Sequence, residues 1–298
     1  MTDAQRGHLA MLTFSALVAG SFSLGVLIAN DIAPAALNAV RFLLAGVLIG
    51  AAASLGGGLQ RRHFAAPWRF LVLGGVFASY FVLMFYGLKT AAPVSAAAVF
   101  TLTPVLSALF GWLMLRQVTT LRMASALAIG AAGALWVIFR GDLGALLRFE
   151  IGRGEVIYFW GCVAHAIYTP LVRKLNRGEP AVSFTFGTLV AGAALLFAFG
   201  ARDVMATDWG SLRPIVWIGL IYVSVFASAC TFVLLQFATL RLPSAKVMAY
   251  TYLVPSWVIG WEIALGNGLP PLVTLGGIAL TAVALWLLLK DEGAAAKP

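Results

Sequence analysis

Apolar positions run almost without interruption along this chain, and its charged and Gly/Pro-rich positions fall in short clusters between the runs. Dividing at those clusters predicts ten spans, at 8–29, 35–55, 67–88, 92–114, 120–139, 152–174, 181–199, 213–238, 243–265 and 270–290. A hydrocarbon core about 30 Å thick needs roughly 20 helical residues per crossing, and runs of that length recur throughout, leaving no room for a soluble domain. The pattern predicts an all-α membrane protein with ten transmembrane helices.

Composition agrees. Of the 298 residues, 61% are hydrophobic and 10% charged, far from the roughly 25% charged balance of soluble domains. A net charge of +9 would suggest nucleic acid in a soluble protein, but the positive-inside rule places these cations better. With the N-terminus in the cytoplasm, thirteen of the twenty Lys and Arg fall on the inner side, six on the outer side, and Arg41 inside a span. This favours both termini inside. The first span follows only "MTDAQRG" and precedes "ANDIAP" rather than a small-x-small cleavage site, so it is expected to be retained. Cys162 and Cys230 fall within spans and no Cys/His spacing suits a metal. They are expected to pack as small residues, with no disulfide and no zinc.

Two stretches nearly repeat one another. "FVLM" at 81–84 matches "FVLL" at 232–235 and Pro104 matches Pro255, both at an offset of 151, and "ALW" at 134–136 meets "ALW" at 284–286 at an offset of 150. Each half, 8–140 and 152–290, then holds five spans. Five is odd, so the second half must enter the bilayer from the opposite side, giving the inverted repeat that recurs in secondary transporters.

These paired halves, with "LTPVLSALFGWLML" around Pro104, "LVPSWVIGW" around Pro255 and a Gly/Ala-rich fifth span in each half, resemble the EamA family of the drug/metabolite transporter superfamily over residues 8–290. Within it the chain is most similar to the YddG-type bacterial aromatic amino-acid exporters. That resemblance implies a multi-pass protein of the bacterial inner membrane, exporting aromatic and other amino acids. Many members carry a "GE" pair after the fourth span of each half; here the places read "RQ" at 116–117 and "NG" at 267–268.

A mid-span proline survives only where protein, water or a cavity resatisfies the freed carbonyl. Pro104 and Pro255 are therefore expected to kink the fourth and ninth helices and shape a central cavity, the alternative being ordinary packing kinks. A zwitterionic cargo needs a mostly apolar cavity with a few hydrogen-bonding groups. The mid-depth candidates are Tyr80, Thr101, Trp160, His165, Tyr168, Thr231, Gln236, Tyr250 and Tyr252, with Trp160, Ala164 and Tyr168 expected on one face and Tyr80 aligned with Thr231. His165 is expected to sense pH, carry a proton or bond a carboxylate, or else to rest neutral on a carbonyl. Arg41 is expected to snorkel or cap a neighbouring helix, or to pair with Glu262 at an outer gate. Trp68, Trp209 and Trp217, near span ends, read as an interfacial belt.

No carboxylate sits in the first span, no carboxylate relay crosses the bilayer and no cationic cluster lies at mid-depth. A facilitator for neutral or zwitterionic cargo fits this pattern best, and a proton-coupled drug or metabolite exporter is the rival. An intramembrane enzyme would need a nucleophile with its base, paired carboxylates or a metal cluster, so no enzymatic activity is expected. Phosphate-binding signatures are missing too, and no cofactor and no nucleic acid is expected. Small residues at "GAAGAL", 130–135, and "GGIAL", 276–280, permit close helix contact either within a monomer or across a homodimer.

Overall fold

The computed structural model describes residues 2–55, 59–148 and 150–290, almost all of them in helices joined by short turns. Lys297, counted above among the inner cations, lies outside the described residues. In chain order α1 spans Asp3–Ile28, α2 Pro34–Leu55, α3 Trp68–Leu88, α4 Pro93–Phe100, α5 Thr103–Leu115, α6 Leu121–Ile138 and the short α7 Leu143–Leu147. The second half runs α8 Arg153–Leu175, α9 Ala181–Phe199, the short α10 Ala201–Ala206, α11 Pro214–Ser224, α12 Thr231–Thr239, α13 Ser244–Ala249, α14 Val254–Ala264 and α15 Leu272–Lys290. A π-helical turn at Val225–Cys230 joins α11 to α12, and a 3-10 turn at Tyr250–Leu253 joins α13 to α14.

Eight of these runs are long and apolar enough to cross a bilayer: α1, α2, α3, α4 with α5, α6, α9, α11 with α12, and α15. The expected sixth and ninth spans are also helical, as α8 and as α13 with α14. Glu155, Tyr158, His165 and Tyr168 lower the hydropathy of the former, and the 3-10 turn divides the latter. Local chemistry sets several boundaries. The Thr2 hydroxyl accepts the Gln5 N–H at 3.2 Å while Gln5 Oε1 accepts the Thr2 N–H at 2.8 Å, a capping box that starts α1 five residues before the predicted span. Pro93 and Pro214 open α4 and α11, where a missing N–H costs nothing.

The two halves interlock by exchange. At the offset of 150–151, α1 corresponds to α8, α2 to α9, α3 to α11 with α12, α4 and α5 to α13 and α14, and α6 to α15. The α3–α8 packing is matched by α1–α12, and α5–α8 by α1–α14, while α2 packs on α9 and α6 on α15. Contacts that map onto each other when the halves are swapped are what a pseudo-twofold relation requires.

Polarity is inverted relative to a soluble protein. Leu43, Val47, Leu113 and Trp286 are exposed, whereas Ser21, Asn38, Arg41, Thr185, Ser228 and Gln236 are fully buried. Many buried hydroxyls are satisfied within their own helix, as Thr188 is by the Phe184 carbonyl and Thr239 by that of Leu235. Trp68 and Trp217 lie exposed near helix ends, as a belt requires, and the Trp209 and Trp217 rings are 6.1 Å apart. Cys162 is buried but Cys230 is exposed, so only the first packs as a core residue.

The small-residue stretches meet within one chain: a Cβ on Gly133 would lie 2.6 Å from the Gly277 carbonyl oxygen, and one on Gly277 would lie 2.6 Å from that of Gly133. Lipid offers no hydrophobic drive between helices, so this backbone approach carries the α6–α15 contact. Gly133→Val should therefore destabilise the fold by about 1–3 kcal/mol through overpacking. Thermal unfolding in detergent would read this as a lowered midpoint, and an unchanged midpoint would show that α6 and α15 do not depend on that approach.

Candidate functional site

Aromatic side chains fill the middle of the bundle. Phe77, Tyr80 and Phe81 of α3, Phe100 of α4, Tyr158, His165 and Tyr168 of α8, and Phe232 of α12 are each at most 2% exposed. Phe77 is their hub: its ring lies parallel to Tyr168 at 4.1 Å, 4.3 Å from Phe232 and 5.4 Å from His165. Two polar links run through the cluster. The Tyr80 and Tyr158 hydroxyls are 3.1 Å apart and Gln236 Nε2 donates to the Tyr168 hydroxyl at 2.8 Å, while the His165 ring packs against Tyr80 with centroids 4.5 Å apart. His165 Nδ1 and Gln236 Oε1 are left without a partner.

Beside this cluster α2 carries Arg41, fully buried. Its Nε donates to Ser228 Oγ at 2.6 Å, its Nη2 donates to the Ala227 carbonyl at 2.7 Å, and its guanidinium lies 3.8 Å from the centre of the Phe81 ring. Nη1 has no partner. Both acceptors belong to the π-helical turn, whose widened backbone interrupts the regular ladder and leaves a carbonyl open to an outside donor. Arg41 therefore neither snorkels nor pairs with Glu262, whose Oε2 accepts from Asn267 at 2.8 Å. It does cap a neighbouring helical segment, but from inside the core.

The residues singled out from sequence divide. Tyr80, His165, Tyr168 and Gln236 come together in the central cluster, and Thr231 is buried at the head of α12 next to Phe232. Thr101 is buried as well, at the helix break after α4, its hydroxyl donating to the Ala98 carbonyl at 2.6 Å. Trp160 is 60% exposed and lines an apolar groove with Phe159 and Leu135 on the outside of the bundle. At 3.6 residues per turn, eight residues advance a helix about 80° beyond two full turns, so Trp160 and Tyr168 do not share a face. Tyr250 and Tyr252 also separate. In a turn of three residues, positions two apart point to different sides: Tyr250 bonds His8 Nδ1 at 3.0 Å, and Tyr252 packs over Gly130 of α6 with its hydroxyl unpaired.

Pro104 and Pro255 do not bend continuous helices. Each sits in the first turn of a new one, α5 or α14, after a break at 101–102 or a 3-10 turn. The breaks touch through Thr103 Oγ1 and Thr251 Oγ1, 3.3 Å apart, so their junction is packed rather than widened.

The two ends of the bundle differ. At the end where α1 begins, Arg69 is 1% exposed and donates through Nη2 to Glu179 Oε1 and through Nη1 to the Leu175 carbonyl, both at 2.6 Å. Nearby, Gln117 Oε1 accepts the N–H of Ser244, the first residue of α13, at 3.1 Å. The offset of 151 carries Gln117 onto Gly268 and Ser244 onto Pro93, which have no side chain and no N–H respectively. The equivalent bond cannot form at the opposite end. There, Pro93 and Gly268 instead line a cavity of about 380 Å³ with Ser95, Arg140, Glu262 and Thr274.

Ser228, Tyr158 and the phenylalanines were missed from the sequence, and Arg41 was singled out there but not placed at the cluster. Tyr158 was findable, since it precedes His165 by seven residues, about two helical turns, and so shares its face. Arg41 stands seven residues into a 22-residue helix, about 10 Å along it, too deep to reach the end easily. The π turn has no sequence signal comparable to proline.

The model of the EamA-like transporter family matches the chain twice, over residues 5–139 and 152–290. An uncharacterized transporter, YyaM, of Bacillus subtilis is 23% identical over 274 residues, covering 91% of this chain and 90% of its own. An uncharacterized transporter of Archaeoglobus fulgidus is 24% identical over 283 residues, covering 94% and 96%. A protein of known crystal structure shares the fold across 99% of both chains, with a TM-score of 0.73 at 20% identity.

The Arg69–Glu179 pair makes stability pH-dependent. Burial alone would raise the Glu179 carboxyl, but the Arg69 side chain and the Arg177 N–H bond its charged form and hold it below the ordinary carboxylate range. The stabilisation is complete above that ordinary range and is lost as pH falls through the lowered value. Glu179→Gln, which leaves Arg69 uncompensated, should cost roughly 3 kcal/mol at neutral pH. Thermal midpoints of both proteins should then converge in strong acid, and a gap that persists unchanged there would refute the pair as its source.

Proposed function

The chain belongs to the EamA-like transporter family, and on that premise we propose that it exports small neutral or zwitterionic metabolites, chiefly aromatic and other amino acids, as an alternating-access facilitator. It is a multi-pass membrane protein. The observation that carries the reading is the buried mid-depth cluster, aromatic in its walls and bearing the unpartnered His165 Nδ1 and Gln236 Oε1, enclosed by an apolar exterior. Buried polar atoms without a partner also occur on Ser21, Ser23, Asn38 and Thr185, but in the cluster they line aromatic walls, and each costs about 1–3 kcal/mol when left unpaired. A cargo with complementary groups would satisfy them, and a mostly apolar site with few polar groups suits an aromatic amino acid.

In this reading all ten end-to-end runs cross the bilayer, five per half, with the second half inverted and both termini on the cytoplasmic face of a bacterial inner membrane. The unequal ends support alternating access. Both ends carry bonds between the halves, Arg69 with Glu179 where α1 begins and Ser95 with Glu155 and Arg213 with Asp31 at the other, but the Gln117–Ser244 junction is bonded while the equivalent Gly268–Pro93 junction lines a cavity. The rival, a proton-coupled drug or metabolite exporter, is favoured by His165, an ionisable group at mid-depth.

Purified protein in proteoliposomes should equilibrate radiolabelled phenylalanine without a pH gradient and should not accumulate it when one is imposed. Gradient-driven accumulation would favour the proton-coupled rival, and movement of an organic cation or a nucleotide sugar in place of amino acids would overturn the substrate class. Gln117→Ala removes the bond to Ser244 and should shift the population toward opening at that end. Cysteines placed near position 244 should then label several-fold faster than in the parent, and equal rates would reject the latch. Impermeant labels should reach residue 3 and a tag appended at the C-terminus from the same face only; labelling from opposite faces would dismantle the inverted repeat.

A further inference from the structure

Arg41 presents a charge that the protein itself does not balance. Its Nε and Nη2 bind a hydroxyl and a carbonyl, both uncharged, and Nη1 is bare. Among the described residues the two buried carboxylates are engaged elsewhere: Glu179 by Arg69, and Glu155 by Ser95 at 2.7 Å. Capping one carbonyl of a π turn would need only a neutral donor, so the carbonyl alone does not account for a guanidinium. A cation in a low-dielectric interior strongly favours an anion beside it. Ser228 Oγ and the Ala227 carbonyl hold the Nε and Nη2 edge, which fixes the plane of the guanidinium and leaves Nη1 as its free donor on the far side. Phe81, stacked under the guanidinium, joins this free donor to the aromatic cluster through Phe232 at 5.5 Å and Phe77 at 5.0 Å.

We propose that Arg41 Nη1 receives the carboxylate of the cargo, while the Phe77–Phe81–Phe232 wall receives its apolar part. The inference rests on the transporter reading and sharpens it. Cargo must carry an anionic oxygen pair, and a free ammonium is not what selects it. The guanidinium is anchored by Nε and Nη2 while Nη1 faces the cargo, an arrangement of several fixed donors that a single ammonium does not reproduce, so lysine at this position should restore only part of the function.

The test is counterflow in proteoliposomes with the full chain, using phenylalanine, phenylalaninamide, 3-phenylpropionate and succinate. Wild type should carry phenylalanine and 3-phenylpropionate but not the amide. Arg41→Gln should lower carriage of both carboxylates by about tenfold or more, and Arg41→Lys should recover part of it. Because a substitution at a buried site can impair folding, thermal shift of the wild-type protein gives an independent reading: phenylalanine and 3-phenylpropionate should raise the midpoint and phenylalaninamide should not. The assignment is overturned if wild type carries the amide as well as the acid, or if Arg41→Gln keeps the preference for carboxylates. Succinate carried in place of phenylalanine, and lost in Arg41→Gln, would uphold Arg41 while removing the amino-acid reading. Transport confined to cargo without a carboxylate would remove Arg41 while upholding the transporter, and no transport with no thermal shift would overturn both.

Discussion

In hydrocarbon a polar group has no solvent to fall back on, so every hydroxyl, amide and charge must be satisfied by the protein or remain a standing cost. The bundle follows from that constraint. Many serine and threonine hydroxyls turn back onto their own helices, Arg69 is engaged by Glu179 and Leu175, and the π-turn carbonyl of Ala227 is taken by Arg41. The atoms left unpaired, among them Arg41 Nη1, His165 Nδ1, Gln236 Oε1 and the Ser21, Ser23 and Thr185 hydroxyls, are the standing cost that remains.

Duplication explains the architecture, and departures from it explain the direction of asymmetry. The packing pairs exchange under the offset of 150–151, yet two substitutions decouple the ends. Gln117 has a side chain where Gly268 has none, and Ser244 has an N–H where Pro93 has none. A perfectly symmetric pair of halves would close both ends equally. Here one end is held by a side chain to backbone bond that the other cannot make, so the same fold presents a bonded junction on one side and a cavity on the other.

The central cluster joins elements far apart in sequence: α2, α3, α4, α8 and α12 each contribute. Phe77 touches residues of both halves, so any parting of the halves must separate its stacked contacts with Tyr168 and Phe232. Those contacts are apolar and individually small, and they can be exchanged for a planar cargo without stranding a hydrogen bond. The polar contacts that cannot be exchanged cheaply, such as Arg69 with Glu179, lie at the end of the bundle rather than at its middle.

By itself the sequence determined the helical class, the places of the helical runs and the twofold repetition, because hydropathy and repeat offset are local properties of the chain. Tertiary structure alone decided which face of each helix turns inward. Trp160 looks out and Tyr158 looks in because α8 packs on α3 and α5, and Tyr250 and Tyr252 part because a 3-10 turn replaces an α-turn. It also decided the place of Arg41, since the π turn that receives its guanidinium lies 186 residues away along the chain and is specified by packing rather than by any short motif.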